Sequence, residues 1–431
     1  MFRRELRAMY WIVVAAKKRL RSSPHFLSSI FRFFLLSIVN LLPVNSKIIG
    51  HPKGFYKSSL DFYTSSMSAN SINTYIELYS SQIIRRLKPK TVHETIDQRF
   101  LIGYLGSEFV TPPNFILSVI NGRTVGSDGT IVTPDDRLLA DVSIEIGVIP
   151  ENIEHHSIFR KIKLPKVTRT NETIAVLAAI GGCDNYFHWM FDILPRIHLL
   201  QKGGVISEVD KFLINKLSSG YQTETLEILG IPNSKLIQSH PSLHIEAKNL
   251  IIPSLPGITG SMTKWACDFL RESFLLERQT THDEKSERIY ISRKNASYRR
   301  ILNEVEVISI LTSLGFLVVE LEKLSVVEQA ALMSSAEIVI SSHGAGLTNL
   351  VFCSEGCKVI ELFAPTHVNP CYRALCNLIG LEYWYLLGKG QSPQNLSINH
   401  LTESSADNIE IDISSLLKTL TAIELITMPI F

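Results

Sequence analysis

The chain has 431 residues, enough for two or three domains that each bury a core. Apolar residues make up 45% and charged residues 19%, which excludes a largely disordered chain. Lys and Arg number 43 against 41 Asp and Glu, so the net charge is +2; without a global basic field, nucleic acid is not expected as a partner.

Charge is concentrated at the N-terminus. Arg3, Arg4, Arg7, Lys17, Lys18, Arg19, Arg21 and Arg32 stand against a single Glu5, so the rest of the chain is net acidic. Beside them runs the apolar stretch Phe26–Val44, interrupted by Arg32. A spanning helix needs about 20 apolar residues, and a signal peptide needs small residues at its cleavage site. Leu41-Leu42-Pro43-Val44 offers no such site. Residues 1–44 therefore read first as an interfacial amphipathic anchor with a basic flank, before a true span or an ordinary helix packed on the body. Residues 45–100 are polar and mixed and read as helices and loops.

From Phe115 the pattern changes. Phe115–Ile120 is strand-like, and Gly126-Ser-Asp-Gly129 separates Asn121–Val125 from Thr130–Thr133 as a hairpin turn does. Ile174–Ile180 is a continuous apolar run of the kind found in buried parallel strands. A helical stretch is expected from Asn185 to Leu200. Strands follow at Lys211–Asn215, Lys235–Gln238 and Leu250–Ile252, with helices at Glu224–Leu229 and Met262–Glu277. The charged segment Arg278–Glu287 reads as a linker.

The second half alternates cleanly. Strands are expected at Arg288–Ser292, Phe316–Leu321, Glu337–Ser341 and Lys358–Phe363. Capping boxes at Asn303/Glu306 and Ser325/Glu328 open helices between them, and Gly315 stops the first. Strands alternating with helices of about ten residues specify a parallel sheet covered on both faces. The loop Ser341-Ser-His-Gly-Ala-Gly-Leu-Thr-Asn349 leaves a strand and enters a short helix from about Leu347. Its glycines let backbone N–H groups approach a phosphate, and the helix N-terminus adds partial positive charge. His343, Gly344, Ala345, Gly346, Leu347, Thr348 and Asn349 are thus candidate donor-binding residues. Gly346 is the position where a side chain is expected to obstruct phosphate. Glu361, at the end of the next strand, is a candidate acceptor for both hydroxyls of a ribose. Arg293 and Arg300 are candidate phosphate partners, because guanidinium suits bidentate phosphate contact.

In the first half, Asn185-Tyr-Phe-His-Trp-Met-Phe-Asp-Ile-Leu-Pro-Arg196 places His188 and Asp192 four residues apart, on one face if helical. A histidine–carboxylate pair can serve as an oriented general base, and either member can take the proton. The same spacing also fits a structural bond inside a core helix. Asn185 and Trp189 are the acceptor-side candidates, with Asn185 alternatively a helix cap. Cys353 and Cys357 lack the ribbon spacing of a zinc site, and six Cys in all are too few for a disulfide scaffold. No metal site is expected.

Four motifs taken together, Asn185–Arg196, Ile291-Ser-Arg293 with Arg300-Ile-Leu-Asn-Glu304, Ser342–Asn349, and Val359-Ile-Glu-Leu362, resemble glycosyltransferase family 61 over about residues 110–390. That family includes plant xylosyl- and arabinosyltransferases, animal N-acetylglucosaminyltransferases and bacterial capsular polysaccharide biosynthesis proteins. The resemblance implies an α/β, GT-B-like fold with two Rossmann-like domains facing a cleft. It divides the chain into a basic, apolar helical extension (1–100), an acceptor-side domain (101–277), a nucleotide-sugar domain (288–395) and a tail (396–431). It implies inverting transfer from a nucleotide-sugar, with a UDP-sugar the first choice, to a glycan acceptor, and no cofactor or essential metal. The basic N-terminus points to a cytoplasmic enzyme on the inner face of the plasma membrane, acting in cell-surface polysaccharide assembly. Two other classes remain. One is a nucleotide-dependent oxidoreductase, since Gly344-Ala-Gly346 superficially mimics a dinucleotide fingerprint, although Asn349 stands in the third glycine's place. The other is a membrane-associated scaffold that has lost activity.

Overall fold

The computed structural model describes residues 45–67, 72–102, 106–145, 147–148, 150–275, 287–390 and 407–426. The expected anchor at 1–44 and nearly all of the linker at 278–287 lie outside the described residues. Among the described residues, no helix is long and apolar enough to cross a membrane. The chain is mixed α/β, as expected, and forms two compact units. The described residues of one fall within Met1–Tyr75, Leu117–Val176 and Ser239–Ile252; those of the other fall within Ile76–Ile116, Leu177–Gln238 and Pro253–Phe431.

The first unit is built on short strands. Arg123–Val125 and Thr130–Val132 form the expected antiparallel hairpin, and Arg137–Leu139 joins it. Gly126 and Gly129 both take positive φ in the turn, where side chains are strained. Gly54–Tyr56 adds in parallel on Arg137–Leu139, so residues 45–100 are not only helices and loops. His244–Pro253, longer than its apolar run suggested, pairs antiparallel with Arg123–Val125 and parallel with Thr168–Val176. The strand expected over Ile174–Ile180 runs earlier, because Thr168–Thr170 gain ladder partners that their polarity did not advertise.

A fully buried ion pair sits in this unit. Arg123 Nη2 donates to Asp136 Oδ1 (2.5 Å), and Ser46 N donates to Asp136 Oδ2 (2.9 Å). Arg123 Nη1 also donates to Ser46 Oγ (3.1 Å). A charge taken from water must be paired, so this cluster holds the chain at Ser46 against the hairpin.

The second unit contains a five-stranded, all-parallel sheet. Its strands are Glu287–Ile291, Phe316–Val319, Ala336–Ser342, Lys358–Phe363 and Glu382–Leu387. Across the sheet the order is second, first, third, fourth, fifth. Four of these strands were legible in the sequence; the fifth, with the helix Cys371–Ile379 before it, was not. The capping box at Ser325/Glu328 forms in full. That at Asn303 does not: its side chain accepts from Ile411 N (2.9 Å) and donates to Ile411 O (2.9 Å). This pairing docks the helix Ile413–Ala422, whose Leu416 and Leu420 complete the core over Ile340, Ile360 and Leu386. Residues 76–116 belong to the same unit. Lys90 continues the ladder beside Tyr383 and Tyr385, and Phe100 packs on Phe363 and Tyr385.

Removing one partner of a buried ion pair strands the other charge, at a cost of about 3–5 kcal/mol. Asp136→Ala is therefore expected to lower unfolding stability by about that amount in urea titration. A change within about 0.5 kcal/mol, the size of an ordinary surface substitution, would show that the pair does not hold this unit together.

Candidate active site

Ligands of open parallel sheets bind outside the strand ends where the strand order reverses. Here that place lies between the first strand, which runs into Ser292-Arg293, and the third, which runs into His343-Gly344. The two loops touch. A Cβ on Gly344 would stand 2.0 Å from Arg293 Nη1, so the guanidinium is seated where only glycine leaves room. Gly346 behaves differently from expectation. Its Cβ would face Leu321 and Ile291 at 3.3 and 3.6 Å, so a side chain there meets apolar packing rather than phosphate.

Cations converge at this rim. Arg299, in left-handed backbone (φ 56°), takes Ser342 Oγ on its carbonyl (3.0 Å) and brings Nη1 to 3.4 Å from His367 Nε2. Arg300, the expected partner, is exposed and serves the fold through its backbone, pairing with Ile409 and Asn408. His343 stacks on Phe363 and lies near His367 and Tyr372, with centroids 5.3, 5.5 and 5.4 Å away. Burial lowers the pKa of Arg293, and Arg299 lowers it further. Burial, then Arg299 and Arg293, hold His343 well below its ordinary range. Burial, then His343 and Arg299, take His367 down to about 3. Each cation raises the cost of the others' charge, which an arriving anion relieves.

Three expected ligands are instead fasteners. Glu361 is fully buried: its Oε1 lies 2.5 Å from His343 Nδ1, and its Oε2 accepts Tyr383 OH (2.6 Å). Both oxygens are taken, so it offers none to a ribose. Burial pushes it up to about 8. Thr348 is buried with Oγ1 3.4 Å from Tyr372 OH. Asn349 is buried too. Its Oδ1 accepts Tyr186 OH (2.9 Å), while Nδ2 donates to Gln329 Oε1 (2.7 Å) and Gly346 O (3.2 Å). Leu347 is core. Ala345 and Gly346 remain partly exposed, at the start of the 3₁₀ helix Ala345–Phe352, where the first backbone N–H groups have no partner within the helix.

The expected helix over Asn185–Leu200 is interrupted. Tyr186–His188 is α-helical, Trp189–Ile193 is a π turn, and Pro195–Lys202 resumes the α-helix. Pro195 has no N–H to offer the carbonyl four residues back, and the wider turn accommodates it. Asn185 caps the start, accepting from Phe187 N (2.9 Å). Trp189 is wholly buried and donates Nε1–H to Thr225 Oγ1 (2.9 Å), so it is core rather than an acceptor contact. His188 and Asp192 do meet: Nδ1 lies 2.7 Å from Asp192 Oδ2. An ionised carboxylate only accepts, so Nδ1 carries the proton and Nε2 is left as the basic nitrogen. The ring lies over Gly181, where φ is +73° and a Cβ would stand 2.4 Å from His188 Cδ2. Asp192 Oδ2 also accepts Thr259 Oγ1 (3.2 Å). The buried Arg196, one turn on, donates to the carbonyls of Leu177, Ala178 and Pro253. Phe187 packs on Tyr372 at 5.9 Å, so one aromatic ring separates this turn from His343.

His367, Tyr372 and Thr259 were missed, because they lie outside the motifs. Arg299 and Arg300 are adjacent cations in the sequence, and the positive φ that turns Arg299 toward the rim is invisible there. Comparison with known proteins covers the same region. Residues 186–360 match the family model Glycosyltransferase 61. The dog EGF domain-specific O-linked N-acetylglucosamine transferase is 32% identical over 101 residues, 22% of this chain and 19% of that protein. The human protein O-linked-mannose β-1,4-N-acetylglucosaminyltransferase 2 is 33% identical over 104 residues, 22% of this chain and 18% of that protein. The Drosophila melanogaster EGF domain-specific enzyme is 29% identical over 153 residues, 32% of this chain and 29% of that protein. The matches thus span 18% to 29% of the length of these relatives.

The His343–Glu361 pair makes stability depend on pH. Glu361 ordinarily titrates near 4.5 and when folded at about 8, so its contribution is full below 4.5 and lost as pH rises through 8. His343, depressed from 6.5, acts oppositely: its contribution is lost as pH falls below 6.5. Between pH 6.5 and 8 the Glu361 effect stands alone. Parent stability is expected to fall there by up to about 2 kcal/mol relative to Glu361→Gln, measured by urea unfolding at both pH values. Parallel curves for the two proteins would mean that Glu361 is ionised throughout.

Proposed function

We propose that this chain, with its Glycosyltransferase 61 span over residues 186–360, is an inverting glycosyltransferase of GT-B type that uses a nucleotide-sugar donor. The observation that carries the reading is the seating of Arg293 on Gly344 at the reversal of strand order, with the neighbouring His343 reached from His188 through the rings of Phe187 and Tyr372. Arg293, Arg299 and the N–H groups of Ala345 and Gly346 receive the donor's diphosphate. They hold the charge that grows as the bond from the anomeric carbon to phosphate breaks, and the reading calls for no metal. His188 Nε2 takes the proton of the acceptor hydroxyl as its oxygen attacks from the opposite side. Asp192 holds the ring in the tautomer that leaves Nε2 basic and balances the imidazolium that forms. The relatives' printed names make an N-acetylglucosamine donor the first to try; this reading takes it as the UDP-sugar and takes a cell-surface glycan as acceptor.

Two variants separate binding from chemistry. Gly344→Ala displaces Arg293, and calorimetry is expected to show UDP affinity at least tenfold weaker with an unchanged melting temperature. His188→Ala is expected to keep UDP affinity and slow turnover about 10²–10⁴-fold. Parental turnover in His188→Ala sinks the base assignment, and parental UDP binding in Gly344→Ala sinks the donor site.

We also propose that residues 1–44 hold the protein on the inner, anionic face of the plasma membrane, because their cations flank an apolar run. A variant lacking them is expected in the soluble fraction, while the full chain sediments with membranes and is released by carbonate. Full-length protein that resists carbonate points to a span instead.

A further inference from the structure

The segment between Pro253 and the helix Lys264–Phe274 crosses beside Asp192 and is held at several points. Arg196 Nε and Nη2 donate to Pro253 O at 3.1 and 2.7 Å. Asn114 Nδ2 donates to Leu255 O (2.8 Å), and Arg86 Nη2 donates to Ser261 Oγ (2.5 Å). Between these clamps, Ile258 and Ser261 close a tight turn through Ser261 N→Ile258 O (2.7 Å). Gly257 permits it, since a Cβ there would stand 2.5 Å from Ser261 O, and Gly260 takes φ +86°. The turn presents Thr259, whose hydroxyl reaches the same Asp192 oxygen that holds His188.

We propose that Thr259 is a positioning residue for the base. Its hydroxyl fixes Asp192 Oδ2, and through that oxygen the plane and tautomer of His188. The inference rests on the reading of His188 as base. The loop is already fastened by Arg196, Asn114 and Arg86, so a bond from Thr259 is not needed to hold it. A hydroxyl facing an acceptor-only carboxylate must donate, and two donors on one oxygen leave it little freedom to turn. Among the described residues, the other side chain bonded to Asp192 is His188 itself, and a small misplacement of a base is costly to turnover.

Thr259→Val keeps the shape and removes the donor; Thr259→Ser restores it. The valine variant is expected to lower kcat roughly 10–100-fold, as for a lost hydrogen bond to a charged group, with KM for the donor unchanged. The probe is UDP release from UDP-N-acetylglucosamine, and serine is expected to recover most of the loss. In the His188→Ala background Thr259→Val is expected to have no further effect, because the two act in series. An activity-independent readout is the downfield Nδ1–H proton resonance of His188, identified by its absence in His188→Ala. It is expected to move further downfield in the valine variant, where Asp192 Oδ2 has one donor fewer, and to return in the serine variant. An unmoved resonance, or additive losses in the double variant, overturns the role of Thr259. Parental activity in His188→Ala instead overturns the base reading, and a parent inert toward UDP-N-acetylglucosamine overturns the donor choice while the resonance still decides Thr259.

Discussion

The buried amide of Asn349 is the junction on which the site depends. Its oxygen takes the hydroxyl of Tyr186, two residues before His188, and its nitrogen holds Gln329 and the carbonyl of Gly346. A primary amide has donors on one side and an acceptor on the other, so it can bridge two elements that each offer the complementary group. Because it is wholly buried, none of these bonds can be exchanged for water at no cost. The start of the helix Ala345–Phe352 and the start of the His188 turn are thereby held to one another.

Around this junction, two opposite electrostatic solutions sit close together. On the strand-end rim, like charges are packed against each other, and the shifts of Arg293, His343 and His367 all run toward the neutral form. Holding these groups together costs stability, and in the proposed reading an anion offsets that cost. Deeper in, burial raises the Glu361 pKa to about 8, and its oxygens meet His343 and Tyr383, so the rim is braced from within. The His188–Asp192 pair follows a third pattern, a charged acceptor with two donors on one oxygen, set on a π turn that Pro195 imposes.

Four of the five strands of the parallel sheet were legible because they are short apolar runs punctuated by glycine or a capping residue. Ser325 and Glu328 cap as their spacing requires. The meeting of His188 with Asp192 was legible for a similar reason: residues four apart share a helical face even when the turn widens. Asn303 failed as a cap because Ile411, more than a hundred residues away, offers its side chain a better pair of partners.

The amino-acid sequence thus determined what depends on near neighbours: strand and helix types, the glycine-bearing loop at Ser341–Asn349, and the His188–Asp192 pairing. Tertiary structure alone decided which polar groups of those motifs stay available. Glu361, Thr348, Asn349 and Trp189 carry suitable chemistry, yet each is buried and bound to a residue from elsewhere in the chain. Arg299 displaced Arg300 at the rim because a left-handed backbone turns one side chain inward and leaves the next in solvent. Thr259 reached Asp192 from 67 residues away, across a turn whose purpose no local pattern announces. Hydrogen-bond satisfaction in a buried site is a property of everything that converges there, and convergence is what a linear pattern does not contain.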